Sequence, residues 1–235
     1  MIEVSNVIKS YKKEVVLDIE KLHIGRGEVL GLVGNNGAGK TTLFSLLLDL
    51  IKAKQGHITN KEIRVDQSEE WKSHTAAFLD ESFLIGYLSP EEYFTFIGSL
   101  RGLNKQQVLD FVGGFEDFFN GEVLNKKKYI RDFSKGNMKK IGIVAAFIGE
   151  PEIVILDEPF ANLDPSTQIR LKTLIQHYTE KHNGCLLISS HDLHHITDVC
   201  NRIVLLDKGK VVKDNLKSEQ TLVDLKKYFE NEIAK

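Results

Sequence analysis

The sequence predicts an α/β fold: a mostly parallel sheet covered by helices, with a helical lobe inserted in it. Three observations lead there. A glycine-rich turn, GNNGAGKTT at residues 34–42, joins a short apolar run to a segment of helical period. From residue 153 the chain alternates: IVIL, then PSTQIRLKTLIQHYTEKH, then CLLIS, a helix, and finally RIVLLD and KVVKD. Alternation of strand and helix argues for parallel pairing. Between these regions the composition shifts, with 8 of the 13 phenylalanines between Phe78 and Phe119, enough aromatic surface for a small core of its own.

In chain order, the first 33 residues read as extended pieces, IEVSNVIKSY, EVVLDIEKLHI and EVLGLVG, punctuated by Gly25 and Gly27. GAGKTTLFSLLLDLI carries the continuous apolar stripe of a buried helix, and GHITNKEIRVD returns to alternation. From about Glu81 to Asp132 the pattern is helical, in SPEEYFTFIGSLRG and NKQQVLDFVGGFEDFF. In DFSKGNMKK, Ser134 is placed to cap a helix whose lysines read as a solvated face. Residues 218–235 form one charged helical segment.

Composition narrows the function classes. Hydrophobic residues make up 42% and charged residues 27%, with a net charge of -2, so no basic excess points to nucleic acid. The longest apolar run, residues 141–149, is less than half of the roughly 20 residues a membrane span needs. The N-terminus lacks the apolar core of a secretory signal, and Cys185 and Cys200 make neither a disulfide framework nor a zinc motif. The expected compartment is the cytoplasm.

The turn at 34–42 matches G-x-x-x-x-G-K-[ST] in the strand-to-helix context that motif requires. Its glycines let backbone N–H groups turn inward around a β-phosphate, and the following helix adds its positive end. Lys40 reaches the β and γ oxygens, while Thr41 offers a hydroxyl to Mg²⁺. A dinucleotide fold is disfavoured because G-x-G-x-x-G is absent. In EIVILDEPFANLDP, four apolar residues followed by two carboxylates describe a buried strand that ends in Asp157 and Glu158. Hydrolysis of a phosphoanhydride needs one acid toward Mg²⁺ and another to orient water. The plainer alternative is that both merely cap a helix after Pro159.

GNNGAGKTT, FSKGN, VILDEP, ANLD and ISSHD occur in the order and approximate spacing of the nucleotide-binding subunits of ATP-binding cassette (ABC) transporters, and the sequence resembles that family from about Ile2 to Asp214. The resemblance implies a P-loop NTPase with an N-terminal antiparallel β subdomain, a nucleotide-binding domain over residues 1–215 with a helical subdomain at about 82–133, and a helical tail at 216–235. It implies ATP and Mg²⁺ as ligands. Residues Gly34, Asn35, Asn36, Gly37, Ala38, Gly39, Lys40, Thr41 and Thr42 would hold the triphosphate, and Tyr11 would stack on adenine unless it only packs its strand neighbours. Thr41, Asp157 and Glu81 would serve the metal, and Glu158, His191 and Lys40 the reaction.

The family dimerises head to tail, so Ser134, Lys135, Gly136 and Asn137 would meet a nucleotide held by a second ABC subunit, with Asp164 coupling the two sites. Two positions depart from the usual pattern. Glu81 stands where the family generally has glutamine, and L-S-G-G-Q becomes Phe133, Ser134, Lys135, Gly136, Asn137, a looser form similar to subunits serving ABC-2 export permeases. The implied function is an ATP-hydrolysing motor for a separate integral membrane permease, serving export, peripheral on the cytoplasmic face of the membrane. The alternative is a soluble ABC ATPase, as in iron-sulfur cluster assembly.

Three further readings complete the picture. Phe83, Tyr87, Tyr93 and Phe94 are candidates to line a groove for a short permease helix. His191, His194 and His195 admit a metal reading, but they supply three ligands without an obvious fourth. LLDKGK differs from the guanine-reading N-K-x-D at two positions, Asp207 and Lys210, and the resemblance implies instead the family's terminal strand-turn-strand, with Gly209 at the turn.

Overall fold

The N-terminal strands alternate in burial and the central ones do not, as expected where one set has a solvated face and the other is covered on both sides. In the computed structural model, which describes residues 1–233, the chain runs through β1 (Ile2–Tyr11), β2 (Glu14–Ile24), β3 (Val29–Val33) and α1 (Lys40–Leu47). It continues with β4 (Gln55–Asn60), β5 (Ile63–Arg64), β6 (Thr75–Phe78), α2 (Pro90–Ser99), α3 (Lys105–Gly113), α4 (Glu116–Phe119) and α5 (Lys135–Phe147). The last part comprises β7 (Ile153–Leu156), α6 (Pro165–His182), β8 (Cys185–Ser190), α7 (Leu193–Val199), β9 (Arg202–Asp207), β10 (Lys210–Leu216) and α8 (Glu219–Ile233). Two units result: Met1–Ser68 with the chain from Leu187 onward, and Glu69–Leu186.

The first unit holds an antiparallel sheet in the order β2-β1-β4-β5. Ile2 pairs with Ile24 and Asn60, and Tyr11 closes the β1–β2 ladder opposite Glu14. The same unit runs β10-β9-β3-β8, with β3 and β9 parallel from Leu30↔Arg202 to Val33↔Leu205. All five residues of β3 are buried. The apolar stripe at 43–51 predicts a longer helix than forms: α1 stops at Leu47, and Asp49 takes a left-handed backbone, φ 52°.

The second unit holds β6 and β7, parallel from Thr75↔Ile153 to Phe78↔Leu156. Its helices start from well-defined caps. Ser89 and Glu92 form a reciprocal capping box ahead of Pro90, and Asn104 and Gln107 form another at α3. That start turns Tyr93 and Phe94 inward, where Phe94 meets Phe119 at a ring separation of 6.0 Å. Of the four candidate groove residues, Phe83 and Tyr87 are exposed, whereas Tyr93 and Phe94 belong to the core. Fully burying a ring such as Phe94 stabilises by about 1.5–3 kcal/mol.

The expectation of a wet lysine face on α5 fails. Lys135 is exposed, but every residue from Lys139 to Phe147 is buried. Lys140 reaches Glu122 at 2.8 Å, an acid displaced 18 positions in sequence and not visible as a helical neighbour. Among the described residues no helix is long and apolar enough to cross a membrane.

Candidate functional site

In the first unit the phosphate loop is shaped by backbone. β3 delivers the chain into residues 34–39, where Ala38 N–H donates to the Asn35 carbonyl at 3.0 Å. Gly39 caps α1 at φ 107°, a conformation that strains any residue with a Cβ, and no side chain occupies the cap. The amides of a first helical turn have no acceptor within the helix, so this end suits an anion. Lys40 is 6% exposed, and its Nζ donates to the carbonyls of Gly34 at 2.7 Å and Asn35 at 3.3 Å. The ammonium is thus folded over the loop.

The loop has a support distant in sequence. Lys208 and Gly209, φ 46° and 78°, form the β9–β10 turn, with Gly209 where the family resemblance places it. Gly209 N–H donates to the Ala38 carbonyl at 2.9 Å and its own carbonyl accepts from Asp18 N–H at 2.8 Å. A Cβ at Gly209 would lie 2.5 Å from the Val16 carbonyl oxygen, so only glycine fits. Asn35, Asn36, Gly37 and Thr41 are exposed, and Thr42 is half-buried. Tyr11 ends β1 with its ring half exposed and the Lys9 ammonium 4.9 Å from the ring centroid. His191, directly after β8, is exposed, and Asp192 caps α7 by accepting from His194 N–H at 2.8 Å.

In the second unit side-chain charge does the shaping. β7, buried throughout, leads directly into Asp157, which is 5% exposed and donates its N–H to the Phe78 carbonyl at 2.9 Å. Glu158 follows with φ 46°; a left-handed backbone at a residue with a side chain costs about 1–2 kcal/mol. No helix begins at Pro159, because α6 starts at Pro165 under an Asp164 cap, so the acidic pair is not a helix cap. The short turn at 81–83 separates two neighbouring acids: Asp80 caps it through Ser82 N–H at 2.7 Å, and Glu81 faces Lys139 at 3.9 Å.

Lys139 was not among the residues the sequence singled out. Its Nζ, almost fully buried, donates to the Glu158 carbonyl at 2.9 Å. Burial holds its pKa below the ordinary lysine value, opposed in decreasing order by Glu81, Glu158, Asp157 and Asp80. The only sequence signal was its position one turn into a helix whose next eight residues are buried or apolar. Ser134 caps that helix, accepting from Asn137 N–H at 3.2 Å, and stays exposed with Lys135, while Gly136 and Asn137 are half-buried. Asp164 accepts from the hydroxyls of Ser166 and Thr167, both at 2.6 Å, and from Thr167 N–H at 3.0 Å, which together hold its carboxyl far below the usual range. Asp157 and Glu81 offer hard oxygen donors of the kind Mg²⁺ takes.

A phosphate loop between buried strand and helix, on a mostly parallel sheet, defines a P-loop nucleotide-binding α/β protein. The ABC transporter family model matches residues 17–161. The ABC transporter ATP-binding protein YhaQ of Bacillus subtilis is 32% identical over 229 residues, covering 92% of this chain and 72% of its own length. The bacitracin transport ATP-binding protein BcrA of Enterococcus faecalis is 28% identical over 222 residues, covering 91% of this chain and 68% of its own length. A solved structure of an ATP-binding subunit of an ABC transporter superposes with a TM-score of 0.83 at 28% identity, over 97% of this chain and 93% of that one. The chain belongs to the ABC transporter family. Nucleotide binding and ATPase chemistry are common properties of that family.

Proposed function

We propose that this chain is the ATP-hydrolysing subunit of an ABC transporter, that it pairs with a second ABC subunit, and that it drives a separate membrane permease in export from the cytoplasmic face. The observation that carries the reading is the loop at 34–42, with the buried Lys40 ammonium folded over an uncapped helix start. Lys40 and the loop amides bind the phosphates, and Tyr11 offers its exposed ring to adenine. Bound Mg²⁺, for which Asp157 and Glu81 are the proposed carboxylate ligands, supplies neutralisation of triphosphate charge. Glu158 orients or deprotonates the attacking water, and His191 supports the γ-phosphate.

Ser134, Lys135, Gly136 and Asn137 are proposed to meet the nucleotide of the second subunit, with Asp164 on the seam. The nucleotide-binding domain is proposed to span 1–215 with its helical subdomain at 82–133. The names of YhaQ and BcrA favour transport over a soluble assembly ATPase. The looser signature favours export. The test is Glu158→Gln: ATP binding is retained while hydrolysis falls by about a hundredfold or more. Full turnover in that variant excludes the assignment, and failure of any permease to co-purify in detergent excludes the transport role.

A further inference from the structure

We infer that Lys139 is a positioning residue for hydrolysis: it holds the main chain of Glu158 in its left-handed conformation and is itself anchored by Glu81. The inference rests on the proposed role of Glu158. Three observations carry it. Lys139 Nζ donates to the Glu158 carbonyl oxygen at 2.9 Å, and that residue has φ 46°, a left-handed backbone state that costs a residue with a side chain about 1–2 kcal/mol. The same carbonyl accepts from Ala161 N–H at 3.2 Å, so the lysine and the 158–161 turn fix one peptide plane together. The ammonium also lies 3.9 Å from Glu81 Oε1, with both side chains largely withdrawn from water.

The chemistry of this chain makes the arrangement self-consistent. A neutral glutamine at position 81 would leave a buried ammonium with less opposing charge, whereas the glutamate present here matches it. Three ammonium donors allow Lys139 to serve the carbonyl and the carboxylate at once. Lys139 also sits on α5, one turn beyond the Ser134 cap, so the segment that begins with the signature reaches the Glu158 peptide through a single side chain. A shift of about 1 Å in a group that orients water lowers turnover by up to about a hundredfold.

The test compares Lys139→Met and Lys139→Arg in the full chain. Lys139→Met is expected to lower kcat by about ten- to a hundredfold, leave KM and the affinity for a fluorescent ATP analogue within about twofold, and speed amide hydrogen exchange at Ala161 in nucleotide-free protein. Lys139→Arg, which keeps charge and donors, is expected to recover most of kcat and slow exchange at Ala161 again. Wild-type kcat in Lys139→Met overturns the inference, as does an arginine variant as impaired as the methionine one, since that outcome reports packing alone. If Lys139→Met does not fold, Lys139→Gln replaces it with the same expected and overturning results. Glu158→Gln assayed in parallel separates the failures: full turnover there removes the role of Glu158 and this inference with it, whereas loss of turnover beside a fully active Lys139→Met removes this inference alone.

Discussion

The phosphate loop and the acidic cluster at the end of β7 reach a defined geometry by opposite means. The loop is held by peptide groups: Ala38 on Asn35, Gly209 on Ala38, Asp18 on Gly209, with one lysine lying across them. The cluster is held by charged side chains, Lys139 on Glu158 and toward Glu81, and by the carboxylate of Asp164 on Ser166 and Thr167. Backbone geometry fails through sterics and hardly responds to protons. Side-chain geometry tolerates changes of shape better but responds to charge.

Three experiments sharpen that contrast. The largest effect is expected from Gly209→Val, which places a β-branched side chain at positive φ against the Val16 carbonyl. It should cost about 2–4 kcal/mol in urea unfolding and weaken ATP binding although the residue lies outside the loop. A stable variant with normal affinity would detach the hairpin from the loop. Next comes Lys40→Met, in which the loss of charge-assisted bonds should weaken ATP affinity about ten- to a hundredfold, read by equilibrium fluorescence. Unchanged affinity would show that the loop amides suffice.

The smallest effect concerns acid. The Asp164 carboxyl is depressed mainly by the Ser166 hydroxyl, then by the Thr167 hydroxyl and N–H. The stabilisation from a depressed folded-state pKa is fully present above the unfolded-state value and is lost as pH falls from there through the folded-state value. Asp164→Asn should therefore lower stability slightly near neutrality, where the carboxylate contributes, and make the decline below about pH 4 shallower. An identical acid profile would mean that this cap contributes nothing to the pH response.

Legibility in the sequence follows the same division. Backbone-built features carry their own residue signals. GNNGAGKTT and the Ser134 cap were readable because each needs particular residues at adjacent positions. The fates of Tyr93 and Phe94 were not, because aromatic content says nothing about which side of α2 faces the core. Lys139 and Lys140 read as solvated for the same reason: their carboxylate partners Glu81 and Glu122 are far away in sequence. The different surroundings of Asp80, which caps a turn, and Glu81, which faces a lysine, have no local residue signal either.

The tie between Gly209 and Ala38 also bears on biosynthesis. Residues 34–42 leave the ribosome long before the hairpin that backs them. At about 5–20 residues per second, the delay is on the order of ten seconds or more. During that interval the nascent chain carries the full nucleotide-binding motif without its peptide support, so the order of synthesis itself withholds a finished ATP cradle until the last strands have emerged.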